Sequence, residues 1–131
     1  MSIFNNHSAE ILILLFFIIT YVVSVLEKIS DWKGTVHYYS EHFKKTIFSK
    51  IIPLLLFNVV LFETITLFLL MLGLYFMVKD ANLLIAKIGL ELSAITLLMF
   101  LLGQRLAKDY PGAMSIAVYF ILNCFGIYLL T

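Results

Sequence analysis

Residues 51–78 read IIPLLLFNVVLFETITLFLLMLGLYFMV, an apolar run that holds one acidic residue, Glu63, no basic residue, and one carboxamide, Asn58. A helix needs roughly 20 mostly apolar residues to cross about 30 Å of hydrocarbon, and this run exceeds that length. Pro53 suits a first helical turn or a bend at the interface, so the opening turns are expected at headgroup level. Three more runs flank it, at about 9–27, 83–102 and 113–130. The third is interrupted by Lys87 and Glu91, although Lys87 is close enough to the end of the run to snorkel. The expected fold is an all-α, integral membrane four-helix bundle, with residues 1–131 forming a single transmembrane domain.

Composition agrees with that reading. Hydrophobic residues make up 63% of the chain, charged residues only 13%, and the mean hydropathy is +1.05. A soluble fold of 131 residues could not hide so much apolar surface, so the lipid bilayer is the expected partner of most of the exterior. A formal net charge of +1 and the lack of a basic stripe interleaved with aromatics argue against nucleic acid. The single cysteine, Cys124, excludes an intramolecular disulfide and a Cys-x-x-Cys pair. Met1 to Ser8 lack the basic residues of a signal peptide, and no small-residue cleavage site closes the first run, which is therefore expected to be retained as a helix.

The longest polar stretch, residues 27–50, reads EKISDWKGTVHYYSEHFKKTIFSK. Val36, Tyr39 and Phe43 recur at near-helical spacing ahead of Lys44 and Lys45, which predicts a short interfacial helix in the first loop. That loop holds Lys28, Lys33, Lys44, Lys45 and Lys50, and the third loop holds Arg105 and Lys108, against only Lys79 and Lys87 on the opposite side. Because cytoplasmic loops hold the excess of basic residues, both termini are expected outside the cytoplasm.

Candidate functional residues are the polar groups inside the spans. Glu63 falls ~18 Å from the start of its run at ~1.5 Å per residue, deep in the hydrocarbon. A central charge there costs roughly 2.5–3.5 kcal/mol, so Glu63 should face the bundle, meet a partner or stay neutral. A proton-exchanging or ligand-anchoring role and a packing role are both compatible with its position. In the first span Thr20, Ser24 and Glu27 share one helical face, expected to point inward. Lys87 and Glu91 are spaced for an i, i+4 ion pair. Ser115, Tyr119 and Asn123 repeat at i, i+4 and i+8 and, with Asn58, are expected to line one polar interior, while Gly89, Ser93 and Thr96 allow close helix approach. The histidines His7, His37 and His42 lie outside the spans, and no Gly-rich phosphate loop, metal-ligand spacing or Ser-His-Asp set can be read. No metal or cofactor is expected, and the catalytic residues of any reaction are not identifiable; catalysis by this chain alone is not expected.

Several segments resemble the DoxX family of small bacterial membrane proteins: Leu26-Glu27-Lys28 with Asp31-Trp32-Lys33-Gly34, then His42-Phe43-Lys44-Lys45-Thr46, and Gly103-Gln104-Arg105-Leu106-Ala107-Lys108-Asp109-Tyr110 with Gly112-Ala113. Glu63, Gly73 and Leu74 fit the same pattern, whereas Val25 and Leu67 stand where the family often has glycine. The resemblance implies a four-helix protein of the bacterial inner membrane, and it marks Glu63, Lys28 and Arg105 as matched positions without an assigned role. It is compatible with an accessory subunit packed beside larger membrane or redox partners, or self-associated. Two alternatives remain open: a small proton-coupled carrier built around Glu63, and a quinone-linked oxidoreductase subunit.

Overall fold

The computed structural model describes residues 5–131. In chain order these form α1 (Ser8–Ser30), α2 (Trp32–His42), α3 (Ile52–Asp80), α4 (Leu84–Leu106) and α5 (Tyr110–Leu130), with no strand among the described residues. The four longer helices are each long and apolar enough to cross a membrane, which marks the chain as a membrane protein.

Local chemistry sets where the helices start and stop. Asp31 breaks the chain between α1 and α2 and then caps α2, its carboxylate accepting from Gly34 N–H at 3.1 Å. Asp109 does the same for α5 through Gly112 N–H at 3.1 Å, with Pro111 in the first turn. Pro53 occupies the first turn of α3, as expected, and Ala81 ends that helix in a left-handed conformation at φ 52°. Several expected boundaries move, and the first helix runs to Ser30 rather than 27. The third run continues as helix to Leu106 rather than stopping at 102, and the fourth begins at Tyr110 rather than 113. Hydropathy measures how far the apolar sequence extends, whereas Gln104 and Arg105 are good helix formers that carry the hydrogen-bond ladder into the polar region.

The four long helices close a ring. α4 packs most extensively against α3 and α5, and α1 completes the circuit against α3 and α5, while α2 rests on α3 and α1. Leu14, Phe17, Tyr21, Leu70, Met77 and Leu90 fill the centre. The outer face carries exposed Ile19, Leu54, Phe68, Ile95, Val118 and Ile121 among many others, a surface that suits lipid and not water.

The end of the bundle where α3 turns into α4 is the tighter one. A Cβ placed on Gly73 would stand 2.4 Å from Ala86 Cα and 2.6 Å from Ala86 N, both backbone atoms. A Cβ on Gly89 would approach Leu70 Cδ2 to 3.0 Å, and one on Gly126 would approach Leu90 Cδ1 to 2.9 Å. Small residues thus let backbones meet, as in other membrane helix pairs. At Gly103, by contrast, a Cβ would meet only the Phe43 ring at 3.5 Å. Gly73→Ala is expected to lower the thermal midpoint in detergent, by overpacking worth about 1–3 kcal/mol. Gly103→Ala should leave it equal or higher, because alanine is the better helix former. Equal losses in the two variants would contradict this account of the α3–α4 contact.

Candidate functional site

The inward face of α1 decides what the site contains. Leu14, Phe17, Tyr21 and Val25 form its buried line, and Lys28 continues that line in the last turn of the helix. The expected polar stripe of Thr20, Ser24 and Glu27 lies one residue back along the chain, roughly 100° round the helix from this line. Thr20 and Ser24 are therefore half-buried on its flank, and Glu27 is exposed rather than inward. Thr20 donates to Phe16 O at 2.8 Å within its own helix. Helical spacing correctly groups the three residues on a face; its inner edge, Thr20 and Ser24, borders a cavity in the bundle, Glu27 falls outside it, and Tyr21 and Phe17 take the centre because they bury more apolar area.

Lys28 reaches the embedded carboxylate. Its Nζ stands 3.0 Å from Glu63 Oε1 and donates to Ser24 Oγ at 2.5 Å. The Glu63 side chain is 0% exposed and that of Lys28 is 12% exposed, so the pair is held away from water. Lys28 approaches Oε1 as an ion-pair partner without the alignment of a hydrogen bond, and Glu63 Oε2 has no hydrogen-bond partner among the described residues. Of the outcomes open to an embedded carboxyl group, Glu63 thus faces the bundle with Lys28 beside it.

Around this pair lies a cavity of about 640 Å³. It occupies the half of the bundle that contains the end of α1 and the start of α3. Ser24, Lys28, Glu63 and Gln104 give it polar points, and Phe17, Phe62, Phe100, Leu97 and Ile116 supply most of its wall. Tyr39 of α2, with Phe43 and Phe48 after it, closes the end toward the first loop. The Tyr39 hydroxyl is held above its ordinary value of 10.0, first by burial and then by neighbouring negative charge that includes Glu63. α2 is tied down separately by His42, whose Nε2 lies 3.5 Å from Asp109 Oδ2 at the start of α5.

The other candidates divide. Tyr119 is half-buried and touches the cavity, and Asn58 reaches its margin from the exposed side of α3. Asn123 is fully buried but does not line the cavity; its Nδ2 donates to Leu90 O at 2.7 Å and joins α5 to α4. Ser115 is exposed and donates to Pro111 O, so the residues expected to share one polar interior do not do so. The i, i+8 rows drift around a helix of 3.6 residues per turn, and only part of such a row can face one neighbour. No Lys87–Glu91 ion pair forms among the described residues, and Glu91 points outward from α4. Arg105 is exposed and stacks over Tyr110 at 5.3 Å, away from the cavity. Sequence reasoning left Tyr21 and Gln104 without roles and read Ser93 only as a small residue for close helix approach. Tyr21 Oη meets Ser93 Oγ at 2.7 Å, and Gln104 Oε1 is buried in the cavity wall without a partner. Among the described residues no three His, Cys, Asp or Glu side chains gather as metal ligands.

Compared with known proteins, the chain matches no family model, no curated protein and no solved structure.

The ion pair makes a direct stability test. Lys28→Met strands the Glu63 carboxylate in the bundle, and a broken buried pair costs about 3–5 kcal/mol. Lys28→Met with Glu63→Leu removes both charges and should recover most of that loss, since apolar replacement of a buried pair is often close to neutral. Thermal melts of both proteins in the same detergent check it; additive losses would mean that the two residues do not interact.

Proposed function

We propose that the chain is a DoxX-like protein of the bacterial inner membrane that holds a small molecule inside its helix bundle and serves as an accessory subunit beside larger membrane partners. The cavity around Lys28 and Glu63 carries this reading: a space of about 640 Å³ lies within the range of small-molecule sites, and an embedded charge pair marks its wall. A chain that only packed against others would gain nothing from leaving such a volume unfilled in its own core. The partner half of the proposal draws on Glu91. It sits on the exposed face of α4, ~10 Å from the helix start at ~1.5 Å per residue, where a bare carboxylate in lipid is costly and a second protein surface would cover it.

Protein extracted from its own membranes in mild detergent is expected to carry a small-molecule adduct in native mass spectrometry. Val59→Trp, which fills the cavity from α3, should lose the adduct while the protein stays folded. An adduct-free wild type would end the ligand half of the proposal, and monomer alone after crosslinking in membranes would end the partner half. A redox-active ring in the adduct would move the reading to a quinone-linked subunit. Proton flux into liposomes that disappears in Glu63→Gln would move it to a proton-coupled carrier.

In the proposed topology both termini lie outside the cytoplasm, with α2 on the cytoplasmic membrane surface. Its motive is the basic residues of the first and third loops. A reporter fused after Thr131 should be active if it works only when exported and silent if it works only in the cytoplasm. The opposite pattern would invert the chain.

A further inference from the structure

We infer that the cavity selects a neutral amphiphile that presents a hydroxyl donor to Glu63 and lays an apolar body along the aromatic wall. This rests on reading the cavity as a binding site and adds the chemistry of what fills it.

Three observations lead there. The first concerns the sign of the missing hydrogen bonds. Among the described residues the buried side-chain atoms without a hydrogen-bond partner are all oxygens: both of Glu63, Oε1 of Gln104 and Oδ1 of Asn123. Lys28 offsets the charge at Glu63 Oε1, but Oε2 has no partner among the described residues and sits just behind the cavity wall, so a small turn of the Glu63 side chain brings it to a donor in the cavity. An acceptor so placed costs free energy until a donor reaches it. The second is charge. Lys28 and Glu63 already neutralise each other, so an anionic head would face the carboxylate and a cationic head would face the ammonium, each with no further countercharge in the wall. A neutral O–H donor meets Oε2 without adding charge. The third is the wall, where Phe17, Phe62 and Phe100 leave most of the surface apolar. Water could satisfy Oε2, yet it would leave those rings wetted at the full hydrophobic cost. A molecule with one donor and a hydrocarbon body answers both requirements.

The test uses the full chain in nanodiscs and four photoactivatable probes with the same diazirine-bearing dodecyl body. They carry a hydroxyl, a methyl ether, a carboxylate or an ammonium head. Labelled residues are mapped by mass spectrometry. The alcohol is expected to label cavity residues such as Phe62 and Phe100, and to outcompete the ether by about ten- to a hundredfold, the value of one hydrogen bond to a charged acceptor. In Lys28→Met with Glu63→Leu, which keeps the cavity apolar and removes the pair, alcohol and ether should label equally. Gln104→Leu, which leaves the pair intact, should keep the alcohol preference. Equal labelling by alcohol and ether in the wild type would overturn the donor inference while leaving a ligand-binding cavity in place. So would stronger labelling by the carboxylate or ammonium probe, or an alcohol preference that survives loss of the pair. Label confined to outward residues such as Ile95 and Val118 for every probe would overturn the inference and the cavity reading together.

Discussion

Glu63 takes a carboxyl group into a bundle interior with no water to solvate it, and Lys28 comes in from the end of α1 to meet it. For Lys28 to point inward, α1 must be rotated so that Tyr21 and Phe17 also face the centre, since all three fall on one side of a helix of 3.6 residues per turn. That rotation puts Tyr21 Oη against Ser93 and turns Glu27 outward. The long reach of the lysine is part of the solution, because its hydrocarbon stem passes through apolar surroundings while the ammonium sits between Ser24 and the carboxylate.

The rest of the bundle is organised around α4. Each of the other long helices sends one buried polar contact to it: Tyr21 of α1 to Ser93, Thr66 of α3 to Thr96 at 3.5 Å, and Asn123 of α5 to the carbonyl of Leu90. Beyond these contacts, toward the ends of α3 and α5, Gly73 and Gly89 bring the backbones of α3 and α4 together, and Gly126 makes room for the Leu90 and Ile13 side chains. In the other direction the side chains are larger and the cavity opens beneath α2. One end is thus shaped by absent side chains and the other by bulky aromatic ones. The polar layer between them fixes the register at which packing gives way to space.

Much of this was legible in the sequence, for reasons that differ by residue. The four spans follow from apolar length alone, and the helix in the first loop follows from the spacing of Val36, Tyr39 and Phe43. Glu63 stands out because it is a lone charge deep in an apolar run. Its partner could not be read the same way: Lys28 lies 35 positions away, and their meeting depends on how α1 crosses α3. Thr20, Ser24 and Glu27 show a second kind of gap. A helical wheel gives the angles between residues but not the rotation of the helix against its neighbours, and here a turn of one residue separates the expected face from the real one. Lys87 and Glu91 had the right spacing and no ion pair, because spacing permits a contact without supplying a reason to make it. The start of α5 is set by the Asp109 cap, a hydrogen bond that hydropathy does not register, and α4 runs on through Gln104 and Arg105 because polar residues can be good helix formers.

The 29 residues of α3 amount to about 43 Å of helix at ~1.5 Å per residue, against about 30 Å of hydrocarbon. A rod longer than its slab must lean, thicken the slab around it, or project. Its surplus lies partly in the first turns, near Pro53, and those turns lead directly into the segment that bears Asn58 and Glu63. Membranes of different thickness would therefore ask for different inclinations of the helix that forms one side of the internal chamber. The chain is in this sense mechanically coupled to the lipid around it, with the shape of its interior depending on the depth of the surrounding medium.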